Sequence, residues 1–402
     1  MNYILFDEPE TRLQLKPFTF IRPIAWIRVG ILTIAEKWQK YLSTSGVHAL
    51  TEGYLQGKYP LKTENDNLLI NSTVYPSPEL IQEIMALTPQ EALVKDQQVI
   101  ACRLAPQNIS YPIDKQLFTS LKEAESQVMR LTNLTDIFSH NGQQIREDFE
   151  IITRGRISQP IEDKHTIAYN PKNIFLEEGV KLRACILNAE NGPIYIGKNV
   201  QIHEGAIVKG ALAICEDAEI RLGAKLRGDT TIGPGCKVGG EVSNSVFFGH
   251  SNKAHEGFLG NSVIGEWCNL GADTNTSNMK NNYNFVKIWN YAQKSFVDTG
   301  KQFCGLMMGD HSKSGINTMF NTGTVVGVNV NIFGGNFPPK FIPSFSWGGQ
   351  ENFVEYELSK ALQVAERMVE RRNLEFGEED KKIMHEVYKR KLPFIVQKEN
   401  SN

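Results

Sequence analysis

The chain has almost no net charge, no paired cysteines and no long apolar run, and each shortage removes a class of function. Its 43 lysines and arginines against 45 aspartates and glutamates leave a formal charge of -2 over 402 residues. No basic surface for nucleic acid or an anionic membrane is therefore expected. No apolar stretch approaches the ~20 residues that cross a bilayer, and the opening MNYILFDEPETR has no basic segment leading into an apolar one. A cytoplasmic protein with no membrane partner is the expectation. The cysteines stand singly at 102, 185, 215, 236, 268 and 304, with no C-x-x-C pair and no histidine at ligand spacing. They read as small buried apolar residues, and no metal site is expected from them.

What the chain does have is a period of six. Ile196, Ile202, Val208, Ile214, Ile220, Leu226, Ile232 and Val238 fall at strict six-residue spacing. Four places after each comes a mostly small residue, Val200, Ala206, Ala218, Ala224, Thr230 and Cys236, with Leu212 the exception. That period fits neither a helix nor a simple strand; it is one side of a triangular coil, three of which make a turn of a parallel β-helix. The register extends upstream to Ile174, Val180 and Ile186, and downstream to Phe258, Ile264 and Leu270, then Asp310, Ile316, Thr322 and Val328. A solenoid over 170–343 is expected, with Lys280–Gln302 as a protruding loop. Residues 350–402 read as C-terminal helices, the first carrying Val354, Leu358, Leu362, Ala365 and Val369 on one face. Residues 1–165 precede the solenoid, and there LFTSLKEAESQVMRL and QIREDFEII read as helical.

Residues 3–42 run strand, polar loop, arginine-bearing segment, amphipathic helix, a βα unit whose loop suits an anion at the helix start. Thr11-Arg12, Pro17-Phe18-Thr19, Arg22-Pro23-Ile24 and Val29-Gly30 resemble the N-terminal motif of sugar nucleotidyltransferases. The resemblance implies a Rossmann-like α/β domain, here abbreviated, in which Thr11, Arg12 and Arg22 would hold nucleotide phosphate. It departs from the family at the loop, where Asp7-Glu8-Pro9-Glu10 replaces the glycines whose N–H groups cradle a triphosphate. It departs again at Thr73, which stands where the family places a metal-binding aspartate. Mg²⁺, a hard cation that favours carboxylates, would be needed only if nucleotidyl transfer is retained.

Between Asn244 and Asn284 the hexads become irregular and polar residues gather, as happens where a solenoid carries function. The stretch His255–Asn278 follows H-x-x-[YF]-L-G-x-x-x-I-G-x-x-x-N-[IL]-G-A-x-T-x-x-x-N. It resembles the acetyltransferase half of the bifunctional glucosamine-1-phosphate N-acetyltransferase / N-acetylglucosamine-1-phosphate uridylyltransferase family. That resemblance implies His255 as general base, Glu241 as the carboxylate orienting the amine and Asn278 near the reacting group. It implies Arg227 on substrate phosphate, Phe258 and Asn269 on the sugar, and the Ala272 N–H at the acetyl carbonyl. The chemistry agrees, since a histidine can take the proton of an attacking amine. His250 and His311 are the competing bases. Two lysines of the family are Ser243 and Asn284 here, leaving Arg227 as the matched cation, with Lys253 and Lys280 as candidate substitutes. A left-handed coil, acetyl-CoA as co-substrate and a homotrimer follow from the likeness to hexapeptide-repeat acyltransferases.

The expected function is acetyl transfer from acetyl-CoA to an amino sugar or amino sugar phosphate, in sugar-nucleotide supply for envelope polysaccharide. Two alternatives stand beside it: a sugar-1-phosphate nucleotidyltransferase and a non-catalytic scaffold.

Overall fold

The computed structural model describes residues 1–350 and 352–392. Two units partition it. Met1–Leu15, Ile21–Ile27 and Leu32–Leu134 form the first, while Lys16–Phe20, Arg28–Ile31 and the chain from Thr135 onward form the second.

The first unit is built on strands β1 (Asn2–Phe6), β2 (His48–Leu50), β3 (Asn67–Asn71), β4 (Glu91–Lys95), β5 (Gln98–Leu104) and β6 (Ser120–Glu123). They lie in the order β2-β1-β3-β5-β4-β6. β1 pairs in parallel with β2 and β3, β5 runs antiparallel to β3 and β4, and β6 returns parallel to β4. β3, sequence NLLIN, is buried along its whole length, as a covered central strand must be. Helix α1 (Pro9–Gln14) has proline in its first turn. Helix α2 (Ile34–Tyr41) starts with a capping box of Thr33 and Glu36, and α3 (Pro78–Met85) is capped by Ser77, both signals legible in sequence. The helical reading of LFTSLKEAESQVMRL is corrected. β6 occupies its middle, because pairing with the edge of β4 outweighs the helix propensity of Lys and Glu.

In the second unit α4 (Leu134–Ser139) and α5 (Asn141–Thr153) lead into a three-sided parallel coil. The first face stacks Ile167–Tyr169, Ile186–Asn188, Ile207–Lys209, Lys225–Arg227, Glu241–Ser243 and Phe258–Gly260. The second has nine strands, Ile174–Leu176 to Phe341–Ile342, and the third has ten, from Lys181–Leu182 to Ser346–Gly348 with antiparallel Phe353–Glu355 at its edge. Ile196, Ile202, Val208, Ile214, Ile220, Leu226, Ile232 and Val238 all lie in one continuous core, each fully buried. Burial of such side chains is worth about 1.5–3 kcal/mol apiece. The small fifth-slot residues Val200, Ala206, Ala218, Ala224 and Cys236 fill the corners.

Outside that stretch Ile174, Ile264 and Leu270 lie in the core as the sequence reading expects, while other positions differ. Upstream, Leu187 is the inward residue where Ile186 was expected. Gly239 and Gly240 shorten the next side, so Val242, Phe247 and Leu259 are the inward residues and Phe258 points out. After residue 305 the core is Met308, Phe320, Val326 and Ile332, and Ile316 is 69 % exposed. The cause of this last shift is the insertion. Lys287–Asn290 and Ser295–Asp298 form an antiparallel hairpin, not a protruding loop. Trp289 stacks on Phe341 with ring centroids 4.3 Å apart, so the hairpin lies back against the second face.

Two excursions of the N-terminal chain belong to this unit. The Phe18 ring meets Phe248 at 5.1 Å, and the Gly30 N–H donates to Asn141 Oδ1 at 2.7 Å. Helices α6 (Leu358–Glu370) and α7 (Glu378–Lys389) follow the coil, burying Ala361, Ala365, Val369, Ile383, Met384 and Val387. Val354 is not on the helical face; it lies in the edge strand and is 47 % exposed. The rest of the expected C-terminal segment, 393–402, lies outside the described residues.

Candidate functional site

On the first face, parallel register puts Lys225, Glu241 and Phe258 in one outward column and Arg227, Ser243 and Gly260 in the next. Arg227 Nη2 donates to Glu241 Oε1 at 2.9 Å, a pair open to solvent. A Cβ on Gly260 would lie 2.6 Å from the Phe258 ring and 2.6 Å from Asn278 Nδ2. The ring and the amide therefore share the space that a side chain at 260 would fill. Asn278 Nδ2 also donates to Asn261 Oδ1 at 2.9 Å, and the Phe258 N–H donates to Asn275 Oδ1 at 2.9 Å. Arg227, Glu241, Phe258 and Asn278 thus meet on one surface.

His255 sits at the corner that feeds this face, exposed, on the turn between Asn252–Lys253 and Phe258–Gly260. Beneath that turn is a residue whose burial sequence reasoning missed. Lys253 points into the coil where a hexad normally puts a branched apolar residue, in register with Val238, and is 1 % exposed. Its ammonium donates to the carbonyls of His255 at 2.8 Å and Gly239 at 3.3 Å. Burial pushes its pKa down to about 8, with Glu256 and Asp273 opposing. The inward phase of position 253 was the available signal. Ala272 lies on the next turn; its carbonyl accepts from the Asn317 N–H at 2.8 Å, and its own N–H makes no hydrogen bond among the described residues.

Asn269 is apart from these groups. It belongs to the third face, in register between Asn252 and Lys313, and Asn252 Oδ1 accepts from Arg372 Nη2 at 3.1 Å. His250 and His311 are elsewhere again, at the corner joining the second and third faces. His250 stacks on Trp267 at 4.4 Å and Trp267 on His311 at 6.3 Å. Burial lowers the His250 pKa, with Glu266 opposing. The three rings pack on one another in one column.

In the first unit Arg12 is 1 % exposed. Its Nη1 donates to Asp7 Oδ2 at 2.6 Å, to Thr51 Oγ1 at 3.1 Å and to the Arg22 carbonyl at 3.2 Å. Asp7 Oδ1 in turn accepts the Ile24 N–H at 3.1 Å. Arg12 is committed inside the domain, not turned toward a ligand, and Arg22 is buried as well. Thr11 lies within α1, its carbonyl accepting the Leu15 N–H. At the end of β3, Asn71 Oδ1 accepts both the N–H and the hydroxyl of Thr73, at 3.0 and 2.8 Å. With that amide occupied and Asp7 held by Arg12, these residues do not fit a Mg²⁺ site.

No helix among the described residues is long and apolar enough to cross a membrane. Residues 3–157 match the sugar nucleotidyl transferase family. The bifunctional protein GlmU of Synechococcus elongatus is 26 % identical over 223 residues, 50 % of this chain and 44 % of that protein. The bifunctional sugar-1-phosphate nucleotidylyltransferase/acetyltransferase of Sulfurisphaera tokodaii is 29 % identical over 154 residues, 33 % of this chain and 38 % of that protein. The putative uncharacterized acetyltransferase YaiX of Escherichia coli is 25 % identical over 178 residues, 44 % of this chain and 74 % of that protein. The chain spans less than half the length of the bifunctional relatives it matches. Over part of its length the chain is similar to the bifunctional sugar nucleotidyltransferase/acetyltransferase proteins, and the sugar nucleotidyl transferase family match lies in its N-terminal part.

Proposed function

We propose that the coil transfers an acetyl group from acetyl-CoA to the amine of an amino sugar or amino sugar phosphate. The observation that carries this reading is the meeting of Arg227, Glu241, Phe258 and Asn278 on one face, fed by the corner that exposes His255. In this scheme His255 takes a proton from the amine as its nitrogen attacks the thioester carbonyl. The Ala272 N–H polarises that oxygen as the tetrahedral intermediate forms. Collapse breaks the carbon–sulfur bond, and the proton returns from the imidazolium to the leaving thiolate. Glu241, held by Arg227, orients the amine, and Asn278 beside the Phe258 ring borders the reacting group.

Asn269, on another face, would act from a second copy. In keeping with a homotrimer, Ile167, Ile186 and Ile207 stand in register on the first face, with Ile167 and Ile207 50 % and 43 % exposed. Exposed aligned branched residues of this kind suit a contact with a second copy. A cytoplasmic location and a role in sugar-nucleotide supply belong to the same reading.

A second reading, nucleotidyl transfer by the first unit, is favoured by the family match over residues 3–157. The buried Arg12–Asp7 pair and the Asn71–Thr73 contact weigh against it.

The test is thiol release from acetyl-CoA against a panel of amino sugars and their 1-phosphates, wild type beside His255→Ala. A drop of about a hundredfold or more, the scale of a lost general base, supports acetyl transfer. Absence of release with every acceptor from folded protein rejects it for those acceptors.

A further inference from the structure

The first face ends at a row of left-handed corner residues that includes Asn244 (φ 47°) and Asn261 (φ 48°). Past this row lies a groove of about 500 Å³, lined among others by Asn244, Asn261, Phe285, Lys301, Gln302 and Phe303. It is continuous with the acetyl-transfer face. Asn261 is the residue that receives the Asn278 amide, and Asn244 directly follows Ser243, the register partner of Arg227.

Three features of the lining define its ligand. Phe285 and Phe303 are 51 % and 46 % exposed, large aromatic surfaces left in water beside polar groups. The amides of Asn244, Asn261 and Gln302 offer paired donors and acceptors; Gln302 uses only its Nε2, which donates to the Tyr283 carbonyl at 3.1 Å. Lys301 brings a half-buried ammonium that has neither an ion pair nor a hydrogen bond among the described residues. The acid at the groove, Asp229, is already engaged. Arg146 Nη1 lies 3.3 Å from its Oδ1, and its carboxylate closes on Gly142 at the start of α5. An aromatic platform, neutral hydrogen-bonding groups and a single available cation match a sugar ring carrying one anionic substituent, and the volume falls in the range of small-ligand sites.

We propose that this groove binds an anionic hexose, with the ring against Phe285 and Phe303, the hydroxyls at Asn244, Asn261 and Gln302, and the phosphate or carboxylate on Lys301. Lys301 then supplies the charge that Ser243 and Asn284 do not. Naming the hexose as the acetyl acceptor rests on the acetyl-transfer reading; binding itself does not.

The experiment is saturation-transfer NMR and calorimetric titration of the full chain with glucose 1-phosphate, glucuronate and neutral methyl glucoside. It uses wild type, Lys301→Gln and Phe303→Ser, with Lys172→Gln, at an exposed position outside the groove, as control. Wild type is expected to bind at least one anionic sugar more tightly than methyl glucoside. Lys301→Gln should weaken that sugar by about tenfold, the loss of one charge-assisted hydrogen bond, and leave methyl glucoside unchanged. Phe303→Ser should weaken all three, and Lys172→Gln none. Preference for glucose 1-phosphate over glucuronate, or the reverse, identifies the substituent and supports the site. No binding of either anion at millimolar concentration, or equal binding by wild type and Lys301→Gln, overturns it. Sugar binding that depends on Lys301, without thiol release, upholds the groove and rejects acetyl transfer. Thiol release unaffected by Lys301→Gln upholds acetyl transfer and rejects the hexose of this groove as its acceptor.

Discussion

Arg227 and Glu241 face each other one rung apart on the coil, with the guanidinium Nη2 and carboxylate Oε1 separated by 2.9 Å. The side chains are 57 % and 37 % exposed, so solvent screens the pair and its contribution to stability is at most ~1 kcal/mol. Its value is positional: each group holds the other over the column that carries Ser243 and Gly260. Arg227→Ala and Glu241→Gln are therefore expected to leave the melting temperature within a few degrees of wild type while altering turnover. The Arg227 variant should act mainly through KM for a phosphorylated acceptor, the Glu241 variant mainly through kcat. Steady-state kinetics beside calorimetry separates the two, and a large loss of stability in either variant would refute the positional role.

Glycine at 260 is required by space, not by backbone torsion. A methyl group there would meet the Phe258 ring and the Asn278 amide at 2.6 Å each, closer than real Cβ contacts allow. Gly260→Ala should keep the coil folded, because both neighbours lie on the outer surface and can rotate away, but should break the bond from Asn278 to Asn261. The expected result is a loss of about tenfold to a hundredfold in acetyl transfer, the scale of a displaced catalytic group. Thermal unfolding should move little. Full activity in Gly260→Ala would show that the ring and the amide have no part in the reaction.

The six-residue period made the coil legible from sequence, and between Ile196 and Val238 it named the inward residues correctly. It failed where chain length between corners changed. The glycine pair at 239–240 closes a side in four residues instead of six, so Phe258 turned outward and Leu259 inward. The hairpin at 287–298 reset the phase again, leaving Ile316 in solvent. Neither event alters composition, which is why pattern counting passed over them. The candidate site was partly legible for the same reason. Residues one rung apart, such as Arg227 and Glu241, come together by periodicity, whereas Lys301 reaches the groove only through the hairpin's return path. The inward lysine at 253 was in the sequence at an apolar phase, but the irregular hexads around it hid the phase.

The buried Asp7–Arg12 pair argues that the family's phosphate arginine serves structure here. Arg12 bridges Asp7, Thr51 and the Arg22 carbonyl, and the pull of Asp7 holds the guanidinium pKa up against burial. Removing one partner leaves a charge without its counter-ion inside the unit, a change that costs about 3–5 kcal/mol. Arg12→Ala and Asp7→Ala should each unfold the N-terminal unit at lower denaturant concentration. Asp7→Asn with Arg12→Met should recover much of the loss, since replacing both partners leaves no unpaired charge. A stable Arg12→Ala variant with weakened nucleoside triphosphate binding would instead restore the phosphate role.

Lys253 gives the coil a pH dependence of predictable sign. Its folded pKa, about 8 against 10.5 for an unburied lysine, means that the unfolded chain holds a proton the folded chain releases between those values. Stability therefore rises as pH climbs from about 8 toward 10.5 and is lowest, for this group, where the lysine is charged in both states. Lys313, half-buried and brought down to about 8 by desolvation, adds a second contribution of the same sign. Ionising thiols and phenols obscure the absolute curve in this range, so the informative quantity is wild type minus Lys253→Met. Below pH 8 the charged lysine still binds the carbonyls of Gly239 and His255, and methionine leaves both unsatisfied. The variant should be less stable there by about 1–3 kcal/mol. Between pH 8 and 10.5 the wild type should gain on it further by up to about 1.4 kcal/mol per unit of pH. Urea unfolding at pH 7, 8.5 and 10 measures this, and a difference that stays flat across the three would show that Lys253 keeps its ordinary pKa inside the coil.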